Sequence, residues 1–139
     1  MNINILQGDC IETLQILDDE SINTCITSPP YWGLRNYNDE EKQLGIEDTP
    51  EEFVDNLVKV FREVKRVLRD DGTVWLNLGD SYSSGGRTTT TNQSLRGDKD
   101  YGVTRPKPSK GIKPKDLIGI PWRVALALQQ DGWYLRQDI

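Results

Sequence analysis

There is no histidine anywhere in the 139 residues. A histidine-based catalytic triad is therefore excluded, and so is a metal site that uses imidazole. Cysteine is scarce. Cys10 and Cys25 are the only two; they have no metal-ligand spacing and read as reduced packing residues of a cytoplasmic protein. No metal is expected. No apolar run approaches the roughly 18–20 residues of a membrane span, so no membrane partner is expected. The start, Met1-Asn2-Ile3-Asn4-Ile5, lacks a basic region followed by an apolar one, which argues against a secretory signal. Hydrophobic residues make up 35% of the chain against 28% charged, which fits one polar domain with a modest core.

Positive charge is also in short supply: 17 Lys and Arg stand against 22 Asp and Glu, a net −5. By itself that balance argues against a nucleic-acid partner. The distribution argues the other way. From Ser84 to Lys115 there are eight basic residues against Asp98 and Asp100, a net +6 that leaves −11 on the rest. A basic segment on an acidic body is the footprint of polyanion binding. Arg87, Arg96, Arg105, Lys107 and Lys110 are its candidate phosphate contacts. The plainer reading, a solvated flexible loop, stays open. The segment has almost no periodicity and is rich in Gly, Ser, Thr and Pro. So long a loop in a compact domain is normally functional or disordered, and partial disorder without nucleic acid is the expectation.

What the chain does have is Thr27-Ser28-Pro29-Pro30-Tyr31-Trp32. It follows an apolar run, Ile22 to Ile26, that reads as a short buried strand. Two prolines then forbid helix and ladder pairing, so the chain must turn rigidly at the strand's carboxyl end. Open α/β sheets place their ligands at that end. The turn offers a hydroxyl, a fixed carbonyl and two aromatic rings. Such a set suits a flat ring with an exocyclic amine: Tyr31 stacks on its face, while Ser28 Oγ and the Ser28 or Pro29 carbonyl accept from the amine.

The flanks read as alternating elements. Asn2–Leu6 is an expected strand. Asp9 caps an expected helix over Cys10–Leu17, with Glu12 completing a capping box. Trp32 and Arg35 are candidate contacts to nucleic acid, Arg35 with an ordinary exposed arginine as the alternative. Asn38–Asp48 is an acidic loop without a motif, expected to be mobile. Thr49-Pro50-Glu51-Glu52 starts a helix in which Phe53, Leu57, Val60, Phe61, Val64, Val67 and Leu68 recur at helical spacing, with Gly72 ending it. Thr73–Leu78 is the next strand. Strand, helix, strand makes a parallel crossover and hence an α/β fold. Asp80 then falls on the same rim as Ser28, as a pocket residue or a carboxylate capping local amides. A helix follows to about Gln130, with Trp122, Ala125, Leu126 and Leu128 or Gln129 divided between inner and outer faces. Trp133–Arg136 opens a last strand.

Ser28-Pro29-Pro30-Tyr31 resembles the catalytic motif of the DNA amino-methyltransferases, where Asp, Asn or Ser precedes Pro-Pro and an aromatic. Three further stretches are similar to the same family: Gly8-Asp9, Asn77-Leu78-Gly79-Asp80-Ser81-Tyr82, and Gly119-Ile120-Pro121-Trp122-Arg123-Val124-Ala125 with Asp131-Gly132-Trp133-Tyr134-Leu135-Arg136. The resemblance runs from Gly8 to Asp138. It implies a Rossmann-like methyltransferase fold and transfer of a methyl group from S-adenosylmethionine to the exocyclic nitrogen of cytosine or adenine in double-stranded DNA. The base is flipped out of the duplex. The resemblance implies catalytic roles for Ser28, Pro29, Pro30 and Tyr31, and cofactor contacts for Asp9, Ser28 and Asp80. Its setting would be restriction–modification or phage modification, in a bacterial, archaeal or phage system. Ser28, rather than Asp, in the first place of the motif leans toward cytosine.

The chain departs from the family in one respect. The glycine-rich turn of the type Phe-x-Gly-x-Gly, which holds the methionine part of the cofactor, does not occur. In one permuted class the catalytic half comes first and the cofactor half last. The expectation is therefore an incomplete parallel sheet: residues 1–139 form the catalytic half, inactive alone, to be completed by a missing C-terminal half or by a homodimer. A catalytically inactive nucleic-acid-binding remnant is the alternative. An RNA or protein amide methyltransferase is a third reading, against which Ser28 and the basic segment count.

Overall fold

The computed structural model describes residues 3–33, 43–83 and 112–139. Five elements follow in order: α1 (Cys10–Leu14), β1 (Ile22–Thr27), α2 (Pro50–Val67), β2 (Leu68–Leu76) and α3 (Ile120–Gln130). The expected crossover is present, since β1 and β2 pair in parallel and α2 connects them.

α2 starts where its sequence says it should. Thr49 Oγ1 accepts from the Glu52 amide at 3.2 Å, and Glu52 Oε2 accepts in return from the Thr49 amide at 3.2 Å. Pro50 sits in the first turn, where its missing N–H costs nothing. Thr49→Ala is expected to cost about 1 kcal/mol of stability by removing one side of this reciprocal cap. Chemical denaturation reads that loss, and an unchanged midpoint would show the box to be energetically idle. The apolar stripe packs inward, with Phe53, Leu57, Phe61, Val64 and Val67 all buried. Burial of each large side chain of this kind stabilises by about 1.5–3 kcal/mol.

The helix stops earlier than expected, at Val67, and Gly72 lies inside β2. The register explains the difference. Ile22 pairs with Leu68, but Thr24 pairs with Thr73, so residues 69–72 bulge from the ladder. A Cβ on Gly72 would stand 2.8 Å from the Arg69 carbonyl, so this close turn needs glycine.

α3 packs on α2 with Ile120, Val124 and Leu128 buried. Trp122 and Leu126 face outward, and Val124, absent from the expected inner face, is its most buried member. Asp131 and Gly132 fasten the far end of the helix. Arg62 Nη2 reaches Asp131 Oδ1 at 2.6 Å, and Lys65 Nζ donates to the Gly132 carbonyl at 2.9 Å. The Arg62 guanidinium holds the Asp131 carboxyl below its ordinary range. This contribution is present above the ordinary carboxylate pKa and is lost as pH falls through the lowered one.

Five expectations are corrected. The Asn2–Leu6 strand does not form in its described part: Ile3, Ile5 and Leu6 are exposed and no neighbouring strand pairs with them. α1 ends at Leu14, because Ile16 and Leu17 bond back to the carbonyls three residues earlier and tighten the turn. Trp133–Arg136 makes no ladder, and Tyr134 and Leu135 lie exposed. β1 is not a buried strand. Cys25 and Thr27 turn toward the helices, while Ile26 is 78% exposed beside its cross-strand neighbour Trp75. One face of the sheet is thus packed and the other open. Burial pushes the Cys25 thiol up, in keeping with a reduced packing residue. Cys10, expected to pack as well, is exposed on α1.

Candidate active site

Parallel pairing brings the carboxyl ends of both strands to one rim. Thr27 faces Leu76, and the Asn77 amide donates to the Thr27 carbonyl at 3.0 Å, which carries the pairing one step past the ladder. Ser28 leaves β1 there, and Gly79 and Asp80 leave β2 beside it.

Ser28 is exposed. Its Oγ lies 3.2 Å from the Tyr31 hydroxyl and 3.4 Å from the Asn77 carbonyl. Either hydroxyl can donate in the Ser28–Tyr31 pair, whereas the Asn77 carbonyl can only accept. The turn doubles back through Pro29 and Pro30 with trans peptide bonds, so the Tyr31 ring returns over β2. It lies against Gly79, where an added Cβ would stand 2.7 Å from Cδ2 and Cε2 of the ring. Only a residue without a side chain lets the aromatic sit so close to that backbone. The hydroxyl, the prolines and the half-buried ring are therefore brought together as expected. They form a flat apolar surface with an acceptor at its edge.

Asp80 is placed on the same rim but is engaged by the backbone. Its Oδ1 accepts from the Ser81, Gly119 and Ile120 amides at 2.8, 3.1 and 3.1 Å, and its Oδ2 from Gly119 at 3.0 Å. Gly119 itself is left-handed, φ +77°, and brings no side chain to the start of α3. Asp80 acts as the missing cap from across the chain and sets a negative charge at the positive helix end. Asp9 is similarly committed. Its Oδ1 accepts from the Ile11 and Glu12 amides at 2.9 and 3.1 Å, which makes the aspartate's side of the expected capping box. Of the three expected cofactor contacts, Asp9 and Asp80 cap backbone amides, and Ser28 bonds within the turn and to Asn77.

Trp32 corrects a further expectation. It is 2% exposed, and its indole N–H donates to the Glu47 carbonyl at 2.9 Å. It offers no surface to a nucleic acid and anchors the turn in the core. Arg35, Arg87, Arg96, Arg105, Lys107 and Lys110 lie outside the described residues, as does the 84–111 part of the basic segment. The ends of that segment are held together beside the rim. Tyr82 and Leu117 form an antiparallel bridge, and the Ser83 amide and carbonyl bond to Asp116 and Lys115 at 2.8 Å each.

Sequence reasoning missed Gly45 and Glu47. In the part of the acidic loop that is described, residues 43–48, Gly45 is buried and Glu47 half-buried. The one signal available was Trp32, a large ring that had to find apolar cover and a partner for its N–H. Among the described residues no acidic or cysteine cluster could hold a metal ion, and no helix is long and apolar enough to cross a membrane.

A family model described as DNA methylase matches residues 22–139. A type II methyltransferase, M.SmaI of Serratia marcescens, is 53% identical across 97% of this chain and 46% of its own length. M.Cfr9I of Citrobacter freundii is 50% identical across 97% of this chain and 44% of its own. An archaeal relative, M.MwoI of Methanothermobacter wolfeii, is 37% identical across 94% of this chain. The chain thus spans a little under half the length of M.SmaI and M.Cfr9I. No solved structure matches it.

Proposed function

The chain belongs to the DNA methylase family, and from that premise we propose that it is the target-base half of an S-adenosylmethionine-dependent DNA amino-methyltransferase with a Rossmann-like sheet. The observation that carries this reading is the turn at the carboxyl end of β1, with Ser28 exposed and the Tyr31 ring seated on Gly79.

An exocyclic amine conjugated to its ring is a poor nucleophile, because its lone pair is delocalised. S-adenosylmethionine supplies an activated methyl group, so no covalent protein nucleophile is called for. What remains for this chain is positioning and polarisation. Tyr31 stacks on the base flipped from the duplex. Ser28 Oγ and the Pro29 carbonyl accept the amine's N–H bonds and draw its lone pair out of conjugation. Serine in the first place favours cytosine N4 over adenine N6. Arg35 and the basic residues Arg87, Arg96, Arg105, Lys107 and Lys110 take the phosphates of the duplex.

A second half supplies the remaining cofactor contacts, and the isolated chain is inactive. Two features support this. Asp9 and Asp80 are committed to backbone amides, and the open sheet face carries Ile26 and Trp75, whereas parallel sheets are normally covered on both faces. The type II names of the relatives favour a restriction–modification setting in a cytoplasm. The test is to supply the second half of a relative, in trans or fused, and to follow methyl incorporation into duplex DNA. Incorporation that depends on Ser28 and Tyr31 supports the proposal. A folded, completed protein that binds DNA and the methyl donor without transferring would establish the inactive-remnant reading instead.

A further inference from the structure

The segment running up to α2 meets the target-base turn at Pro30 and the Tyr31 carbonyl, whereas Gly79 meets the Tyr31 ring. The Gly33 amide donates to the Gly45 carbonyl at 2.8 Å. Gly45 has φ +92°, and a Cβ there would stand 3.0 Å from the Tyr31 carbonyl and 3.2 Å from Pro30 Cβ. This contact therefore exists only because residue 45 is a glycine in a left-handed conformation. One side chain holds that glycine. Glu47 Oε2 accepts from the Gly45 amide at 2.8 Å, while Glu47 Oε1 accepts from Asn56 Nδ2 at 3.1 Å. Asn56 lies on α2, and its Oδ1 takes Lys59 Nζ at 3.0 Å, which turns its amide nitrogen toward Glu47. The Glu47 carbonyl accepts the buried Trp32 indole at 2.9 Å.

We propose that Glu47 is a positioning residue for the target-base turn: it ties Gly45 and Trp32 to the rigid helix α2 and so fixes where Tyr31 and Ser28 stand. The proposal rests on the reading of Ser28–Tyr31 as the place that receives the base. The turn has no ladder of its own to hold it, because its two prolines donate no hydrogen bonds. Its placement must come from outside, and here it comes from Gly79 against the Tyr31 ring and from Gly45, held by Glu47, against Pro30 and the Tyr31 carbonyl. Pre-organised placement matters because an error of about 1 Å in a reacting group can cost a transfer about a hundredfold.

Two readouts test it. Hydrogen exchange at the Gly33 and Gly45 amides and the Trp32 indole, followed by NMR on the 139-residue chain, reports the brace directly. Glu47→Ala is expected to speed exchange at these groups about tenfold or more, while Glu47→Gln, which keeps an acceptor for Gly45 but turns an NH2 toward Asn56 Nδ2, falls between Glu47→Ala and the parent. In the completed protein, Glu47→Ala is expected to slow single-turnover transfer about 10²-fold with DNA affinity changed less than about threefold, and Glu47→Gln restores part of the rate. Unchanged exchange at Gly33 and Trp32 overturns the proposal. So does accelerated exchange with an unchanged transfer rate, or a mere loss of thermal stability without either effect. If the unsubstituted completed protein transfers no methyl group, the target-base reading fails, and the brace is decided on the exchange rates alone.

Discussion

Tyr31→Ala in the completed protein should lower single-turnover methyl transfer about 10²-fold while leaving the fold intact. The ring stands at the rim, half-buried, and supports no part of the core cluster around α2. What it provides is a stacking face, and removing such a face costs about 1–3 kcal/mol per base, with a further loss expected because the amine is no longer held in line with the methyl. Tyr31→Phe separates the ring from its hydroxyl. It keeps the stacking surface and removes only the 3.2 Å contact to Ser28 Oγ, so its effect should stay within about tenfold. Gly79→Ala should resemble Tyr31→Ala more than Tyr31→Phe, because the new methyl would occupy the position of the ring. Radiolabelled methyl incorporation, with circular dichroism as the folding control, measures all three. A Tyr31→Ala protein that transfers within about threefold of the parent would refute stacking as the role of this ring.

The largest loss of stability is expected from Phe61→Ala. Phe61 is 2% exposed and meets the Trp133 ring edge to face, with centroids 6.4 Å apart. It joins α2 to the segment that follows α3. Truncating a buried phenylalanine costs about 3–5 kcal/mol through lost burial and the cavity left behind, and the aromatic pair adds about 0.5–1.5 kcal/mol. Against a total stability of about 5–15 kcal/mol for an ordinary domain, this is enough to lower the melting temperature by about 10 °C or more. Trp122→Ala provides the contrast. That ring is on the outer side of α3 and 58% exposed, so the change should be about 0.5 kcal/mol or less. Equal losses for the two would mean that α3 packs with a different face inward.

Elements whose causes are local were legible in the sequence. The reciprocal Thr49–Glu52 cap, the proline in the first turn and the apolar spacing of α2 are written within a few residues of one another, and the structure reproduces them. The rigid turn after β1 was legible for the same reason. Elements that depend on a distant neighbour were not. Ile3, Ile5 and Leu6 have the alternation of a strand but no strand beside them, so the propensity has nothing to pair with. Gly72 reads as a helix stop, yet it serves a bulge whose position is set by pairing with β1. At the site, Ser28 and Tyr31 could be placed from the motif alone. Gly79 was recognised as part of a motif but not as the seat of the tyrosine, because that contact crosses between the two strand ends. Trp32 was assigned outward as an aromatic beside the motif. Its buried place depends on Glu47, whose position along the chain gives no periodic signal. Asp80 offered two readings from sequence, and the local amides it caps include two that lie far along the chain at Gly119 and Ile120.

The backbone ties between Ser81–Ser83 and Lys115–Ile118 have a consequence for how this protein can diversify. Two chain ends fastened to each other insulate the rest of the molecule from whatever is inserted between them. Doubling the length of such an insertion adds only about 0.6 kcal/mol of closure entropy, and Asp80 keeps α3 seated whichever insertion is present. Selection can therefore lengthen, shorten or replace the intervening sequence without disturbing the Ser28–Tyr31 turn a few residues away. A laboratory exchange of that stretch between relatives should be tolerated on the same grounds. The chemistry would stay constant while the part free to vary explored new partners.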